Sequence, residues 1–169
     1  MSPVIIVLMQ FVILAYALVA GVFLAFSDFI MRSLALTGGV AGIEAMQVIN
    51  REVFRWVFMA LFLGMAAVSV LIAGYAWAAL SGPPGTLIGL AALVYLIGCF
   101  GVTVAFNVPM NEALAGMEPS TEATRDYWLQ TYVPRWTFWN SVRTAAAALS
   151  AALLMFGLLW MTLFPSQPA

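Results

Sequence analysis

Histidine and lysine are absent from this sequence of 169 residues, and it contains a single cysteine, Cys99. Without histidine the protein lacks the usual acid–base group near neutral pH and the commonest metal ligand, which excludes histidine-held haem and histidine-built zinc or iron sites. One cysteine excludes an intrachain disulfide and redox chemistry that needs paired thiols. Only 8% of residues are charged and the net charge is −1, so no broad basic field exists to attract nucleic acid.

The sequence consists instead mainly of long apolar stretches. Hydrophobic residues make up 64% of the chain, and no charged residue occurs before Asp28, between Arg55 and Glu112, or after Arg143. A membrane span needs about 20 apolar residues. These stretches predict four spans, at roughly residues 4–27, 56–80, 86–107 and 142–164. We therefore expect an all-α fold, an integral membrane up-and-down four-helix bundle with helical extensions at one end, formed as one domain over residues 1–169.

The connections predict the topology. Ser81-Gly-Pro-Pro-Gly85 is a tight turn by composition, so the second and third spans should run antiparallel. The two longer connections then share one side of the membrane, and they carry all six arginines. Because positive charge favours the cytoplasmic side, we expect this charged end in the cytoplasm and both termini outside, as in a bacterial inner membrane.

Local patterns give finer expectations for the helices. The second span should extend below the membrane, starting near Val40 after Gly38-Gly39, and Pro134 should kink the last helix or mark a fresh start. Gln10 should face the interior, because an amide in hydrocarbon needs a partner. Asp28 and Arg32 are spaced for an ion pair within the helix. Small residues should provide close helix packing at Gly21, Ala25, Ala60, Gly64, Ala145 to Ala148, Ser150 and Ala152.

The first polar element follows the third span. Asn107 and Asn111 lie at i and i+4 on one helical face, and Pro109 between them removes a backbone donor and leaves the carbonyl of Ala105 free. The two amides either point into a pocket and bind a ligand oxygen, or cap the end of the span and satisfy its free carbonyls. Spacing alone leaves both interpretations open.

A second polar element leads into the last span. Trp136, Asn140 and Arg143 follow i, i+4, i+7 spacing, and Trp139 lies one turn before Arg143. A buried arginine among aromatic rings could make cation–π contacts and stabilise an enolate or phenolate oxygen. The alternative is an interfacial aromatic belt with an arginine that reaches to the membrane surface.

The third element lies on the predicted extension of the second span. It combines Glu44, Gln47, Asn50, Arg51 and Arg55. Two arginines at i and i+4 repel each other unless an anion lies between them, which suggests a site for an anion or a polar head group. The alternative is a solvated helix face with weak local pairs such as that of Glu52 with Arg55.

Taken together, three stretches resemble a known family. They are EAMQVIN from Glu44 to Asn50, FNVPMN from Phe106 to Asn111, and WTFWNSVR from Trp136 to Arg143. Their order and spacing resemble the small four-span membrane family that contains the fungal anthrone oxygenases, over nearly the whole chain. The resemblance implies oxidation of a polyketide anthrone to an anthraquinone by molecular oxygen, with no metal, flavin or other cofactor. The positions that it implies for the site are Gln47, Asn50, Asn107, Asn111, Trp136, Asn140 and Arg143.

Such a reaction needs an apolar slot, a partner for an oxyanion and a base. We expect Trp136 and Trp139 to line the slot and Arg143, Asn140 and Asn107 to hold oxygens. Glu44 or Glu112 would be the base. The remaining polar residues predicted to contact the substrate are Gln47, Asn50 and Asn111.

Two other functions stay open. The protein could be a non-catalytic binding or accessory protein whose polar end docks a lipid head group or a partner protein. A transporter fits least, because no acidic or basic residue lies deep within a span, where ion coupling would require one. In either of the first two cases the expected partner is the membrane and an apolar small molecule or lipid.

Overall fold

The structure, a computed structural model, describes residues 2–38, 40–55 and 57–164. Within these ranges the chain forms five helices and no strand, which confirms the all-α fold class. The helices are α1 (Pro3–Leu36), α2 (Val40–Glu52), α3 (Val57–Ala79), α4 (Gly82–Ala115) and α5 (Glu122–Leu163). All but α2 are long and apolar enough to cross a membrane, which agrees with the predicted number of spans.

The surface of the four long helices is apolar. In the most apolar 18-residue window of each, only 22% to 39% of the residues are buried. Large side chains such as Phe11, Leu71 and Trp77 are exposed instead. Water would not tolerate so much continuous apolar surface on a single chain, so these faces need hydrocarbon around them.

The long helices surround a common core. α5 packs extensively against α1 and α4, and α3 packs against α4 but only sparsely against α1. Small residues allow the closest approaches: a methyl group on Gly98 would come within 2.7 Å of the Cβ of Ala146, and one on Gly157 within 2.7 Å of Ile88. Packing through small residues is thus confirmed for α5, where Ala146, Ala147 and Ser150 are buried.

Two expectations about α1 were wrong. A Cβ on Gly21 would meet nothing within 4 Å, so this glycine mediates no helix contact within the described structure. Gln10 is exposed on the outer surface instead of facing the interior. The reason is the orientation of α1, whose inward face is set by the large residues Met9, Tyr16 and Phe23.

The charged connections differ from a simple extension of a span. α2 is a separate helix that ends at Glu52, and a turn follows at 53–55 before α3 begins at Val57. Trp56, where the second span was predicted to start, and Gly39 lie outside the described residues.

The predicted tight turn is present and shorter than expected. Gly82 has a φ of +68°, and the two prolines after it occupy the first turn of α4.

Wider π-helical turns interrupt three of the helices, and all but the one that begins at Tyr95 lie near the charged end. They lie at Phe26–Ile30 in α1, at Tyr95–Gly101 and Thr103–Asn107 in α4, and at Trp128–Tyr132 in α5. The last one ends just before Pro134, so the predicted fresh start occurs as a return to regular helix at Val133 within a continuous α5.

The π turn in α1 also changes the helical register between Asp28 and Arg32, which were predicted to form an ion pair. Asp28 and Arg32 do not form the predicted ion pair, and the salt bridge in the described ranges is the other predicted pair, Glu52 with Arg55 at 3.3 Å. A turn with i→i+5 bonds displaces side chains from the i, i+4 alignment that the sequence spacing assumed.

Candidate functional site

Arg143 differs from every other charged residue in its burial. All thirteen charged side chains lie within the described ranges, and the other twelve belong to exposed residues, whereas Arg143 is 4% exposed. It lies on α5 near the charged end and points toward α1 and α4. The predicted alternative, an arginine that reaches out to the membrane surface, does not fit this orientation.

The partners of Arg143 are all uncharged. Its Nη1 donates to Oγ1 of Thr103 on α4 at 3.2 Å, and its Nη2 donates to Oδ1 of Asn140 at 2.5 Å. The guanidinium carbon lies 4.1 Å from the ring centroid of Phe23 and 5.2 Å from that of Trp136. Its Nε has no hydrogen-bond partner among the described residues. The positive charge is therefore oriented by dipoles and rings and is not neutralised by a carboxylate.

Asn140 fixes this arrangement to α1. Its Nδ2 donates to the backbone oxygen of Phe23 and to Oγ of Ser27, both at 2.6 Å. These bonds require the amide to present Oδ1 to Arg143, so its orientation is determined by its surroundings. Ser27 lies in the π turn of α1, next to the carbonyl that Asn140 reaches. Asn140 was predicted to hold a substrate oxygen, but in this structure its amide donates to α1 and accepts from Arg143.

A second polar group borders the first. Oδ1 of Asn111 accepts hydrogen bonds at 2.8 Å from the hydroxyl of Tyr132 and from Nε1 of Trp136. Nδ2 of Asn50 on α2 donates to the same Tyr132 hydroxyl at 3.2 Å. Asn107 donates to the backbone oxygen of Trp136 at 3.2 Å, and its buried Oδ1 has no partner within the described chain. Asn107 and Asn111 therefore both contact α5, and neither acts as a simple cap.

A cavity of about 90 Å³ lies between these groups. Its polar wall is formed by Arg143, Thr103, Asn111, Asn50 and Trp136, and the rest is apolar. The apolar wall comes from α1, α2, α3, the turn after α2, and α4, and consists of Val22, Phe23, Phe26, Met46, Ile49, Val53, Phe54, Phe58, Met59, Phe62 and Val108. An apolar space with one cationic corner is suited to an apolar molecule that carries a single anionic oxygen.

The cavity is small and partly open. Pockets for drug-sized ligands usually measure about 300–1,000 Å³, so a fused ring system needs the walls to separate. Val22 on α1 is 39% exposed and Phe54, in the turn after α2, is 64% exposed, and both line the cavity. These two side chains are the most exposed of the lining and mark its mouth, and neither is hydrogen-bonded to Arg143.

Three predicted site residues lie elsewhere. Nε2 of Gln47 donates to the backbone oxygens of Leu114 at 2.8 Å and Met117 at 3.0 Å, so Gln47 satisfies the carbonyls at the end of α4. Glu44 is exposed on the outer face of α2. Trp139 stacks on Phe106 with ring centroids 3.7 Å apart, outside the cavity.

The polar residues predicted for the site therefore lie only partly together. Arg143 lines the cavity, and Asn140 and Asn107 lie beside it, but Gln47 does not approach it. The third polar element is divided in the same way, because Asn50 reaches the cavity while Arg51 and Arg55 are exposed. Glu112, the second predicted base, is exposed too. None of the seven acidic residues lines the cavity.

Sequence reasoning missed Tyr132, Thr103, Ser27 and Phe23 as parts of the site. Two signals were present: Tyr132 belongs to a series of aromatic residues at four-residue spacing, Trp128, Tyr132 and Trp136, and Thr103 lies one turn before Asn107. Nothing in the sequence pattern of α1 singled out Phe23 or Ser27, since their role depends on the approach of Asn140 from the far end of the chain.

Comparison with known proteins gives one result. The sequence profile of a family described as anthrone oxygenase matches residues 51–153, which is more than half of the chain. No curated protein and no solved structure matches the chain. The matched range contains Thr103, Asn107, Asn111, Tyr132, Trp136, Asn140 and Arg143, whereas Glu44, Gln47 and Asn50 precede it. By the extent of this match, the chain belongs to the anthrone oxygenase family.

Proposed function

We propose that this protein is a membrane-embedded oxygenase that acts on an apolar aromatic molecule of the anthrone or quinone type, without metal or flavin. The observation that carries the proposal is the buried guanidinium of Arg143, which has no carboxylate partner and borders an apolar cavity. Membership of the anthrone oxygenase family supports the substrate class.

The energetic argument concerns the cost of the charge. Removing a cation from water is expensive, and a buried charge is normally paired or faces a functional cavity. Two neutral hydrogen bonds and two rings reduce the cost for Arg143, but they do not cancel its charge. An anionic ligand oxygen in the cavity would do so. The site therefore favours the ionised form of a bound enol or phenol over its neutral form.

The reaction follows from that preference. An anthrone has a CH₂ group opposite its carbonyl, and loss of one C–H proton gives an anion whose charge lies largely on the oxygen. Arg143 holds that oxygen, and molecular oxygen adds to the ring carbon. The O–O bond then breaks, one oxygen atom stays as the new carbonyl, and the other leaves as water with the two hydrogens of the former CH₂. The carbon loses four electrons and O₂ gains them, so no external reductant is needed.

The other side chains have positioning parts in this scheme. Thr103 and Asn140 hold the guanidinium plane, and the rings of Phe23 and Trp136 pack against it. No carboxylate lines the cavity, so in this proposal the proton leaves to water at the mouth near Phe54. Such a route works only because Arg143 makes the substrate more acidic. We infer that this end faces the cytoplasm, since all six arginines lie there.

Oxygen uptake tests the proposal. Purified protein in lipid nanodiscs is given an anthrone, and oxygen consumption and anthraquinone formation are measured against empty nanodiscs. We expect Arg143→Gln to lower kcat/KM by at least about 100-fold, the usual effect of losing a group that stabilises an oxyanion. The matched control is Arg135→Gln, which removes an exposed arginine from the same helix and should leave the rate unchanged. Uptake equal to that of empty nanodiscs would refute catalysis.

One observation favours a second candidate function. Because the cavity contains no acidic residue or histidine that could serve as a base, the same cationic corner could hold an anionic lipid head group without any reaction. The protein would then be a non-catalytic binding or accessory protein of the membrane. Saturable binding of an anthrone or an anionic lipid that depends on Arg143, without oxygen consumption, would establish this function instead.

A further inference from the structure

We propose that the ligand of the Arg143 cavity is an amphiphile, with its ionisable ring in the cavity and a hydrocarbon tail along the seam between α1 and α3. This inference rests on the proposed function for the ring and goes beyond it by adding the tail and the direction of entry. Two observations support it. The Arg143 cavity and an apolar groove lie along the same side of the molecule, and the charge of Arg143 in the cavity has no carboxylate partner.

The second space is an apolar groove of about 590 Å³ in the half of the membrane nearer the chain termini. Its walls come from α1 and α3 alone, and six of the residues that line it are Met9, Val12, Ala15, Leu61, Met65 and Val68. The groove exists because α1 packs closely against α5 but only sparsely against α3. Its surface presents almost no polar atoms, so it fits a hydrocarbon chain and offers nothing to a polar ligand.

The groove and the cavity follow one another along the same seam. On α3, Phe62 lines the cavity and Leu61 and Met65 line the groove, so the two spaces meet within one helical turn. On α1, the groove ends at Ala15 and the cavity begins at Val22, two turns further on. At a rise of 1.5 Å per residue, the path from Val22 to Met9 along α1 is about 20 Å long.

The rings of Phe23, Phe58 and Phe62 line the cavity, and none of them lines the groove. Phe23 meets Phe58 edge-to-face at 5.5 Å and Phe62 at 6.0 Å. Phe23 and Phe62 are buried, whereas Phe58 is half-buried at the seam. A tail attached to a ring in the cavity therefore leaves past Phe58, on the lipid side of the two buried rings, and reaches the groove without crossing the core.

Charge explains why the occupant is an amphiphile and not simply a bilayer lipid chain. A tail alone gains little by leaving the bilayer for the groove, because lipid is as apolar as the groove. Specific occupation needs an interaction that lipid cannot offer, and the free Nε and partly satisfied guanidinium of Arg143 provide it at one end only. The aromatic wall of the cavity favours a phenolic or enolic ring as the head over a carboxylate or phosphate.

Photolabelling in nanodiscs tests this placement. The probe is a hydroquinone whose alkyl tail, long enough to cover about 20 Å of α1, carries a diazirine at its far end. The matched control probe is its dimethyl ether, which keeps the ring and the tail but has no ionisable oxygen. Labelled peptides are identified by mass spectrometry, and an excess of unlabelled tailed hydroquinone is used as a competitor.

We expect the hydroquinone to label Met9 on α1 and Leu71 to Tyr75 on α3 about tenfold more than the exposed Leu90 and Leu149, as expected for one charge-assisted hydrogen bond. The dimethyl ether, and the hydroquinone with Arg143→Gln protein, should label all lipid-facing residues evenly. Even labelling by the hydroquinone with the natural protein, or equal enrichment by the ether, would overturn the inference.

Two further variants distinguish binding of the tail in the groove from binding of the ring in the cavity. Ala15→Trp fills the groove, and Ala17→Trp places the same side chain on the exposed face of α1 as a control. Ala15→Trp alone should abolish the enriched labelling while oxygen uptake with a tailless anthrone stays unchanged. Arginine-dependent uptake with even labelling would leave the proposed function intact and refute the tail site. Enriched labelling without uptake would leave the tail site intact and refute catalysis.

Discussion

Buried polar groups occur in two regions of this protein, and the regions satisfy them differently. In the middle of the helix assembly, Tyr16 and Ser69 share a hydrogen bond at 2.6 Å, Ser69 also reaches the backbone oxygen of Met65, and Tyr95 donates to that of Phe62 at 3.1 Å. Each of these groups is neutral and has a partner. At the charged end, three buried atoms have no partner within the described chain: Asn107 Oδ1, Thr137 Oγ1 and Arg143 Nε.

The difference distinguishes polar groups that stabilise the fold from polar groups that are available to bind a ligand. A buried polar atom without a partner costs free energy, so proteins rarely keep one without a reason, and several in one place suggest a ligand. The middle region needs no ligand because its hydroxyl groups bond to nearby backbone and to each other. The charged end keeps three such atoms incompletely satisfied, and one of them belongs to the cation that lines the cavity, which is the pattern of a site that ligand binding completes.

The largest effect should come from Arg143→Met, which removes the charge and keeps most of the apolar volume. We expect at least about a 100-fold loss of oxygen uptake. We also expect unchanged or higher thermal stability, because replacing a buried ionic group by a hydrophobic residue is often neutral or stabilising. Thermal unfolding in detergent and oxygen uptake are measured on the same preparation. A marked fall in melting temperature would show that Arg143 is structural and would remove the contrast between the two regions.

Thr103→Val should have a smaller effect on the same site. The substitution keeps the shape of the side chain and removes the acceptor of Arg143 Nη1. We expect about a tenfold loss in kcat/KM, as is typical for one hydrogen bond to a charged group. The control is Thr137→Val, because the Thr137 hydroxyl is unpartnered and does not line the cavity. Equal losses for the two variants would mean that the position of the guanidinium is not what limits the rate.

The sequence predicted the fold well because the determinants are local. Charge-free stretches of sufficient length set the four spans, and prolines after Gly82 set the start of α4. It also identified Arg143, Asn140 and Trp136 as one helical face, and the structure places all three at or beside the cavity. These predictions needed only the period of a helix and the cost of charge in hydrocarbon.

The parts that could not be predicted depend on non-local geometry. The break between α2 and α3 occurs at Val53, Phe54 and Arg55, none of which is a turn-forming residue, so the two helices looked continuous. On the separate helix α2, Asn50 lines the cavity and Glu44 stays outside it. The π turns shift the register near the site, and no sequence rule for i, i+4 spacing accounts for such a shift.

In the middle region we expect a substitution to lower stability and leave activity unchanged, the reverse of the effect of Arg143→Met. Tyr16→Phe removes a buried hydroxyl group but leaves Ser69 bonded to the backbone oxygen of Met65. We expect a loss of about 1 kcal/mol in stability, the usual net contribution of such a hydrogen bond, and no change in oxygen uptake per folded protein. A loss of uptake without a loss of stability would show that the middle region takes part in the function, and the two regions would no longer differ in kind.

The smallest effect is expected for Glu44→Gln, which nevertheless decides where the substrate proton goes. Glu44 is exposed on α2, so the substitution should change kcat/KM by no more than about twofold, as for most surface positions. Glu112→Gln, at a second exposed carboxylate near the same end, serves as the matched control. If Glu44→Gln alone lowered uptake more than tenfold, the carboxylate would have to reach the ligand in the bound state. The base would then be a side chain and not water, and α2 would have to move against the cavity during each turnover.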